Sequence, residues 1–264
     1  MRGYTISLLG IPYDLQSSYR RGAAHAPEMI RRAWFSPSSN LYSEDGTLVD
    51  RELVNDLGDM DFQDEKNAFA RIEEEAGDIV RDGSRVVFLG GDHSITYPII
   101  KAFSKRRKLN ILQVDAHPDL YDVFEGNRLS HACPFARIME ENLAKRLVQV
   151  GVRTMTAHHR EQAERFEVEV HDMISWRDDI ELKIPGPLYV SLDVDSIDPA
   201  FAPGVSHREP GGLSTRQVIR LIQSIKSEIV GADIVEYNPS ADIPGMTDMV
   251  CAKLLKELAA KLSR

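Results

Sequence analysis

Hydrophobic residues along the chain fall into short unbroken runs that are separated by amphipathic stretches. The strongest runs have the length of strands and are predicted as strands at 4–10, 85–91, 109–115, 146–152, 187–195 and 232–238. A weaker candidate covers 52–59. Most of these runs are apolar at consecutive positions and do not alternate. This pattern is typical of strands that are buried on both faces of a parallel sheet.

The stretches between the runs carry helix signals. Helices are predicted over 64–82, 214–227 and 246–262. Gly83 suits the end of the first helix, and Ser214 with Gln217 forms a predicted capping box at the start of the second. Pro27 suits the first turn of a further helix. This alternation of strands and helices predicts a single α/β domain over residues 1–264, with right-handed crossovers.

Charge and composition exclude several classes of function. The formal net charge of −9 argues against nucleic acid and against an anionic membrane surface as partners. We find no apolar stretch of membrane-spanning length in the sequence. Two cysteines, Cys133 and Cys251, fit a reducing compartment and give no disulfide framework. We therefore expect a cytoplasmic location.

Polar segments follow the ends of four predicted strands. They are GGDHS at 90–94, DAHPD at 115–119, DVDSIDP at 193–199 and EYNPS at 236–240. Because the carboxyl ends of parallel strands meet at one edge of a sheet, segments that are distant in sequence can form one site there.

The side chains of these segments predict a metal site. Two imidazoles and four carboxylates are available: His93, Asp115, His117, Asp119, Asp193 and Asp195. This is too much negative charge for one divalent ion, but it suits two ions that share carboxylates. Residues i and i+2 of a strand face the same side, so Asp115/His117 and Asp193/Asp195 are each predicted to aim two ligands at one point. Oxygen-rich ligation without thiolate favours manganese or magnesium, and two histidines favour manganese.

The motifs also carry a resemblance to a known family. GGDHS, DAHPD, SHACPF, SLDVDSIDPAFAPG and EYNPS, in this order and spacing, resemble the ureohydrolases, which include arginase and agmatinase. The N-terminal GIPYD matches the opening pattern of that family, so the resemblance covers essentially the whole chain. It implies a three-layer α/β fold with a mostly parallel sheet of about eight strands. It also implies two manganese ions per subunit, a small guanidino substrate, and a homotrimer or homohexamer.

The resemblance also implies residue roles. One ion would be held by His93, Asp115, Asp119 and Asp193. The other would be held by His117, Asp115, Asp193 and Asp195. His131 falls on the catalytic histidine of the family, and Glu236 on the glutamate that binds the guanidinium. Asp119 is expected to relay a proton from the attacking water to the leaving amine.

The substrate is less well determined by the sequence. Arginases carry asparagine at the position of Tyr121, so a decarboxylated substrate, agmatine, ranks first. Asp122 and Glu125 could stabilise its amine tail. His207 and Arg208 are expected at the mouth of the pocket, where Arg208 would attract a carboxylate unless it faces solvent. A guanidino acid therefore ranks second and arginine third, and formiminoglutamate stays open.

Two alternatives belong to other classes of protein. A zinc deacetylase of the same broad fold would use a tandem histidine pair as its base. His158 and His159 form such a pair, but they precede a charged helical stretch and are expected at the surface. The second alternative is an inactive metal-binding relative, which would usually lack a ligand or the proton carrier.

Overall fold

A single parallel sheet organises the fold. The computed structural model describes residues 6–62, 65–81, 83–178 and 180–264. The strands are β1 (Ile6–Gly10), β2 (Val54–Asp59), β3 (Arg85–Leu89), β4 (Leu109–Val114), β5 (Ala144–Val152), β6 (Glu169–Asp172), β7 (Leu188–Asp193) and β8 (Ile229–Val235). Their order across the sheet is β2-β1-β3-β8-β7-β4-β5-β6, and every pairing is parallel.

Helices cover both faces of the sheet. They are α1 (Ala26–Trp34), α2 (Ala68–Arg81), α3 (Thr96–Ser104), α4 (Pro134–Glu140), α5 (Ala157–Arg165), α6 (Thr215–Ser224) and α7 (Thr247–Leu262). Helices α1, α6 and α7 share one buried cluster, whereas α2, α3 and α4 share the other. Within the described ranges, no helix combines the length and apolar character that crossing a bilayer requires.

Alternate residues of the central strands enter opposite cores. In β3, Val87 and Leu89 join the cluster with α1, whereas Val86 and Phe88 join the cluster with α2. All residues of β3, β4, β7 and β8 are buried. The consecutive apolar runs thus reflect burial on both faces, and the predicted three-layer fold is confirmed.

Most predicted elements are present, with differences at their ends. The capping box is confirmed: the Ser214 hydroxyl accepts from Gln217 N–H at 3.2 Å, and Ser214 N–H donates to Gln217 Oε1 at 2.7 Å. The helix that it opens ends at Ser224, not 227. Helix α2 begins at Ala68, and the predicted positions 4, 5, 64 and 82 lie outside the described residues.

The prediction missed strand β6. It is a four-residue strand with the sequence EVHD at the edge of the sheet, and all its residues are half-buried. A strand that pairs on one side only needs no continuous apolar run, so hydrophobicity did not reveal it.

Candidate metal centre and active site

The four polar segments converge because their strands are neighbours. Strands β3, β8, β7 and β4 are adjacent in the middle of the sheet. Asp115 directly follows β4, Asp193 ends β7, and Glu236 directly follows β8. His93 lies in a 3-10 turn just after β3. The carboxyl edge of the sheet thus brings together side chains that are more than a hundred residues apart in sequence.

The first group of candidate ligands surrounds the His93 imidazole. Its Nδ1 lies 3.1 Å from Asp115 Oδ2, 3.0 Å from Asp119 Oδ2 and 3.1 Å from Asp193 Oδ2. Despite these short distances, Nδ1 is buried without a hydrogen-bond partner. The other ring nitrogen, Nε2, lies 2.9 Å from Ser191 Oγ. One ring nitrogen and three carboxylate oxygens therefore converge on one position, as ligand atoms do around a cation.

The second group lies beside the first and shares a carboxylate with it. His117 Nδ1 lies 3.0 Å from Asp195 Oδ2 and 3.6 Å from Asp115 Oδ1. In the described part of the chain, His93/Asp115/Asp193 and Asp115/His117/Asp195 each place their ligand atoms within 4.8 Å of one another. Asp115 belongs to both groups, which is the arrangement that two neighbouring ions require.

Turns, and not strand alternation, create the two ligand pairs. His117 lies beyond the end of β4, and Asp195 lies in a 3-10 turn after β7. Asp115 Oδ1 accepts from His117 N–H at 2.7 Å, and Asp193 Oδ1 accepts from Asp195 N–H at 2.7 Å. Each aspartate thus folds the chain back on itself as an Asx turn. The expected pairing by position i and i+2 is present, but its predicted cause was wrong.

Two residues of the site hold an uncommon backbone conformation. Asp119 has φ 51° and Glu236 has φ 63°, in the left-handed region that residues with a Cβ seldom adopt. Such conformations cost on the order of 1–3 kcal/mol and concentrate at functional sites.

The charges of the cluster are unbalanced without a cation. Burial, together with Asp195 and Asp115, raises the pKa of Asp193 well above its ordinary value. Burial and Asp115 raise the pKa of Asp119 to about 6. Burial opposes charge on His93, yet the surrounding carboxylates raise its pKa well above the usual range. The carboxylates thus compete for too few protons, and divalent cations would balance them. The residues present fit two such ions.

A histidine–glutamate pair adjoins the metal cluster. His131 Nδ1 lies 2.9 Å from Glu236 Oε1, and the same oxygen accepts from His93 N–H at 2.9 Å. Although burial opposes it, the Glu236 charge raises the pKa of His131 to about 9. Burial likewise opposes charge on Glu236, but His131 lowers the pKa of that carboxyl. Within the described chain, Glu236 Oε2 has no hydrogen-bond partner.

The cluster opens into a cavity of about 210 Å³. Its wall consists of Ser18, His117, Asp119, Tyr121, Phe124, His131, Ala132, Thr154, His159, Asp193, Asp195, His207 and Glu236. Three of the four residues expected to contact substrate, Glu236, Tyr121 and His207, lie in this wall. Arg208 does not, because its guanidinium donates to the backbone carbonyls of Pro203 and Ala241.

Sequence reasoning missed three polar residues of the wall, Ser18, Thr154 and His159. His159 was expected at the surface, but it is 3% exposed and packs against Tyr121 with ring centroids 4.1 Å apart. It lies in the first turn of α5, whose N-cap is Thr156. Charged residues dominate the sequence of that helix, so its pattern did not predict that the first turn, with His159, faces the cavity.

Comparison with known proteins agrees with this geometry. The sequence model of the arginase family matches residues 4–260. The chain belongs to the arginase family. It is 45% identical to Arginase 1, mitochondrial, of Arabidopsis thaliana, over 98% of this chain and 81% of the relative. The solved structure of arginase from Medicago truncatula has a TM-score of 0.94 and 45% identity, and the match covers 99% of this chain and 88% of that one.

A more distant relative carries a different name. The human protein named guanidino acid hydrolase, mitochondrial, is 32% identical over 99% of this chain and 79% of its own length. The predicted ureohydrolase resemblance is thus confirmed. Membership of the family also sets aside the zinc deacetylase alternative.

The expected cytoplasmic location is wrong by this comparison. The relatives from Arabidopsis thaliana and Medicago truncatula carry the name mitochondrial. The prediction rested on sparse cysteines, which fit a reducing compartment. Cysteine content separates oxidising from reducing compartments, but it does not separate the cytoplasm from the interior of an organelle.

Proposed function

We propose that the protein hydrolyses the guanidinium group of L-arginine to urea and ornithine with two divalent cations. The observation that carries this proposal is the pair of ligand groups sharing Asp115, next to Glu236, whose Oε1 is engaged by His93 N–H and His131 Nδ1 while Oε2 faces no hydrogen-bond partner in the described residues. Hydrolysis of a guanidinium needs an activated water, a carboxylate that binds the cation, and a proton for the leaving amine. The cavity contains residues for each requirement.

The candidate ligands define where the cations would bind. His93, Asp115, Asp119 and Asp193 would hold one, and His117, Asp115, Asp193 and Asp195 the other. When bound, the two cations supply Lewis-acid activation of water near neutral pH. Carboxylate and imidazole ligands without thiolate favour manganese, as the sequence predicts.

Glu236 and His131 would handle the guanidinium and the proton. Glu236 Oε1 is already engaged by His93 N–H and His131, so Oε2 is the oxygen that remains for the substrate. A charge-assisted hydrogen bond from the guanidinium would orient its carbon toward the cations. His131 would carry a proton toward the leaving amine, and Asp119 would take one from the attacking water.

The outer wall of the cavity, meaning the wall residues other than the metal cluster and the His131–Glu236 pair, favours a substrate tail without net charge. Every carboxylate in the wall belongs to the metal cluster or is Glu236. Asp122 is absent from the wall and pairs with Arg137 at 2.7 Å and Arg128 at 2.9 Å. Glu125 is also absent from it. The two loop acids that could have stabilised an amine tail therefore do not reach the cavity.

Neutral imidazoles take the place of charged groups in the outer wall. Burial, together with His158, lowers the pKa of His159 to about 4. Burial and His131 also lower the pKa of His207. Such a wall can exchange hydrogen bonds with the ammonium and carboxylate of an amino acid, whose charges cancel. The lone ammonium of agmatine would lose water without gaining a counter-charge.

A wall that suits a substrate tail without net charge favours arginine over agmatine, which reverses the ranking predicted from the sequence. The 45% identity to relatives named arginase, against 32% to a guanidino acid hydrolase and to Gallus gallus agmatinase, supports the same order. Tyr121 was the main argument for agmatine. In the structure it stacks on His158, with ring centroids 5.6 Å apart and an interplanar angle of 10°.

Product release by the Mn²⁺-reconstituted enzyme tests the proposal. Urea release from L-arginine, agmatine and 4-guanidinobutyrate, and formamide release from formiminoglutamate, should give the highest kcat/KM for arginine. Glu125→Gln is the matched control, because it removes a loop acid outside the cavity wall and should leave the preference unchanged. No product from any substrate would refute the proposal and favour an inactive metal-binding relative. A preference for agmatine that Glu125→Gln reduces would instead restore the ranking from sequence.

We further propose a homotrimer or homohexamer, as the family resemblance implies. Light scattering of the enzyme as it elutes from a size-exclusion column measures the mass of the assembly directly. A monomeric mass would contradict it.

A further inference from the structure

The loop at residues 16–18 is fixed to the carboxyl edge of the sheet. The buried Asp92 carboxylate accepts from Gln16 N–H at 2.9 Å, and Gln16 O accepts from His131 N–H at 3.2 Å. Gly91 permits this approach, since a Cβ there would meet the Tyr13 carbonyl oxygen at 1.9 Å. The loop thus links the segment after β3 to the segment that carries His131.

Ser18 presents two groups to the same nitrogen of His131. Its backbone N–H donates to His131 Nε2 at 3.2 Å, and its hydroxyl lies 2.9 Å from that nitrogen. The other ring nitrogen, Nδ1, faces Glu236 Oε1 at 2.9 Å. The imidazole is therefore held at both ends, with Glu236 on the buried side and Ser18 in the cavity wall.

One protonation state of His131 cannot satisfy both groups of Ser18. The neutral ring, with its proton on Nδ1, accepts at Nε2 and suits the amide. The charged ring donates from Nε2, so the amide becomes unfavourable and only the hydroxyl oxygen can accept. A histidine that carries a proton passes through both states in each turnover. Ser18 offers a hydrogen-bond partner to each of them.

We propose that Ser18 is a positioning residue for His131, whose hydroxyl binds the charged ring and connects Nε2 to water in the cavity. This inference rests on the proposed function, because it takes His131 as the proton carrier. Ser18 acts on the substrate only through His131, and Asp92 holds the loop that places it.

Other charged groups around His131 bear on the same equilibrium. The carboxylates of Glu236, Asp92 and Asp119 favour its charged form. His207 faces it from another loop, with ring centroids 5.4 Å apart, and its charge would oppose that of His131. None of these residues is altered by a change at Ser18, so a shift in pH dependence on that substitution is attributable to the lost hydroxyl.

The test compares Ser18→Ala with Ser18→Thr and with Ser17→Ala. Ser17 is the matched control, because its hydroxyl lies 3.4 Å from Asp92 Oδ2 and does not contact His131. Each Mn²⁺-loaded variant is measured for metal content and for kcat and KM from pH 6 to 10. In Ser18→Ala the charged ring loses its acceptor and the neutral ring keeps the amide. The alkaline limb of kcat should therefore move to lower pH by about one unit.

We expect kcat of Ser18→Ala at pH 9 to fall about fivefold, because a limb moved from about 9 to about 8 leaves roughly a tenth of His131 charged at that pH in place of a half, with KM and metal content near those of the parent enzyme. Ser18→Thr should restore most of the activity, and Ser17→Ala should match the parent. An equal loss at every pH, without rescue by threonine, would mean a merely structural role and would overturn the inference. His131→Asn separates the two proposals. If it is inactive while Ser18→Ala is unchanged, only the role of Ser18 fails. If it stays fully active, the role of His131 fails as well.

Discussion

Ser191→Ala is the most informative substitution outside the ligand set. Ser191 is fully buried in β7, its Oγ lies 2.9 Å from His93 Nε2, and it donates to Asp233 Oδ1 at 2.7 Å. Because the Ser191 hydroxyl donates to Asp233, its oxygen can only accept from His93, so the His93 proton lies on Nε2. Nδ1 is then left to bind a cation together with the three carboxylates. Asp233 is itself held by Thr96 and Tyr189, each at 2.8 Å.

The size of the effect follows from these contacts. Removing the Ser191 hydroxyl leaves a buried ring N–H without an acceptor, which costs about 1–3 kcal/mol of the free energy of unfolding. It also frees the His93 ring to rotate. Loss of a partner that orients a ligating histidine typically weakens metal binding by about 10–100-fold. Thermal unfolding measures the first effect, and chelator competition followed by elemental analysis measures the second.

Tyr189→Phe is the control for this experiment. It removes another buried donor to Asp233, but it leaves the contact between Ser191 and His93 intact. Both variants should lose stability, and only Ser191→Ala should lose metal affinity. Equal metal affinity in the two variants would refute the reasoning that Ser191 orients His93 toward a cation.

Three further predictions test the ligand set and the proton carrier. Asp195→Ala should bind one divalent ion per chain in place of two, because only the group around His117 loses a carboxylate; elemental analysis that finds two ions would contradict the ligand map. Glu236→Gln should lower kcat/KM for arginine at least tenfold with metal content unchanged, since the guanidinium loses its buried counter-charge; unchanged steady-state kinetics would count against Glu236 as its partner. Glu236 raises the pKa of His131 to about 9, so the proton that His131 donates is present below that pH and lost above it. The kcat measured against pH should therefore fall above about 9. A fall near the ordinary histidine pKa of about 6.5 would show that Glu236 does not set the pKa of His131.

The sequence by itself determined the layer architecture and the edge where the site forms. Consecutive apolar positions in β3, β4, β7 and β8 require burial on both faces, which only a covered parallel sheet provides. Polar segments after those strands then had to meet at the carboxyl edge. Because a motif such as DAHPD places its ligand types at fixed spacing, the candidate ligands could be predicted from the sequence alone. Strand β6 could not be predicted in this way, since this edge strand has no continuous apolar run.

Only the tertiary structure decided which remaining side chains reach the cavity. Arg208 and His207 are adjacent in sequence, but Arg208 donates to backbone carbonyls while His207 lines the wall. His159 and Ser18 carry no periodic signal, because their placement depends on how a helix turn and a loop pack against distant strands. Substrate preference depends on this outer wall and on its net charge. Hydrophobic periodicity and motif spacing report on burial and local geometry, so they could predict the metal cluster but not the groups that face the substrate tail.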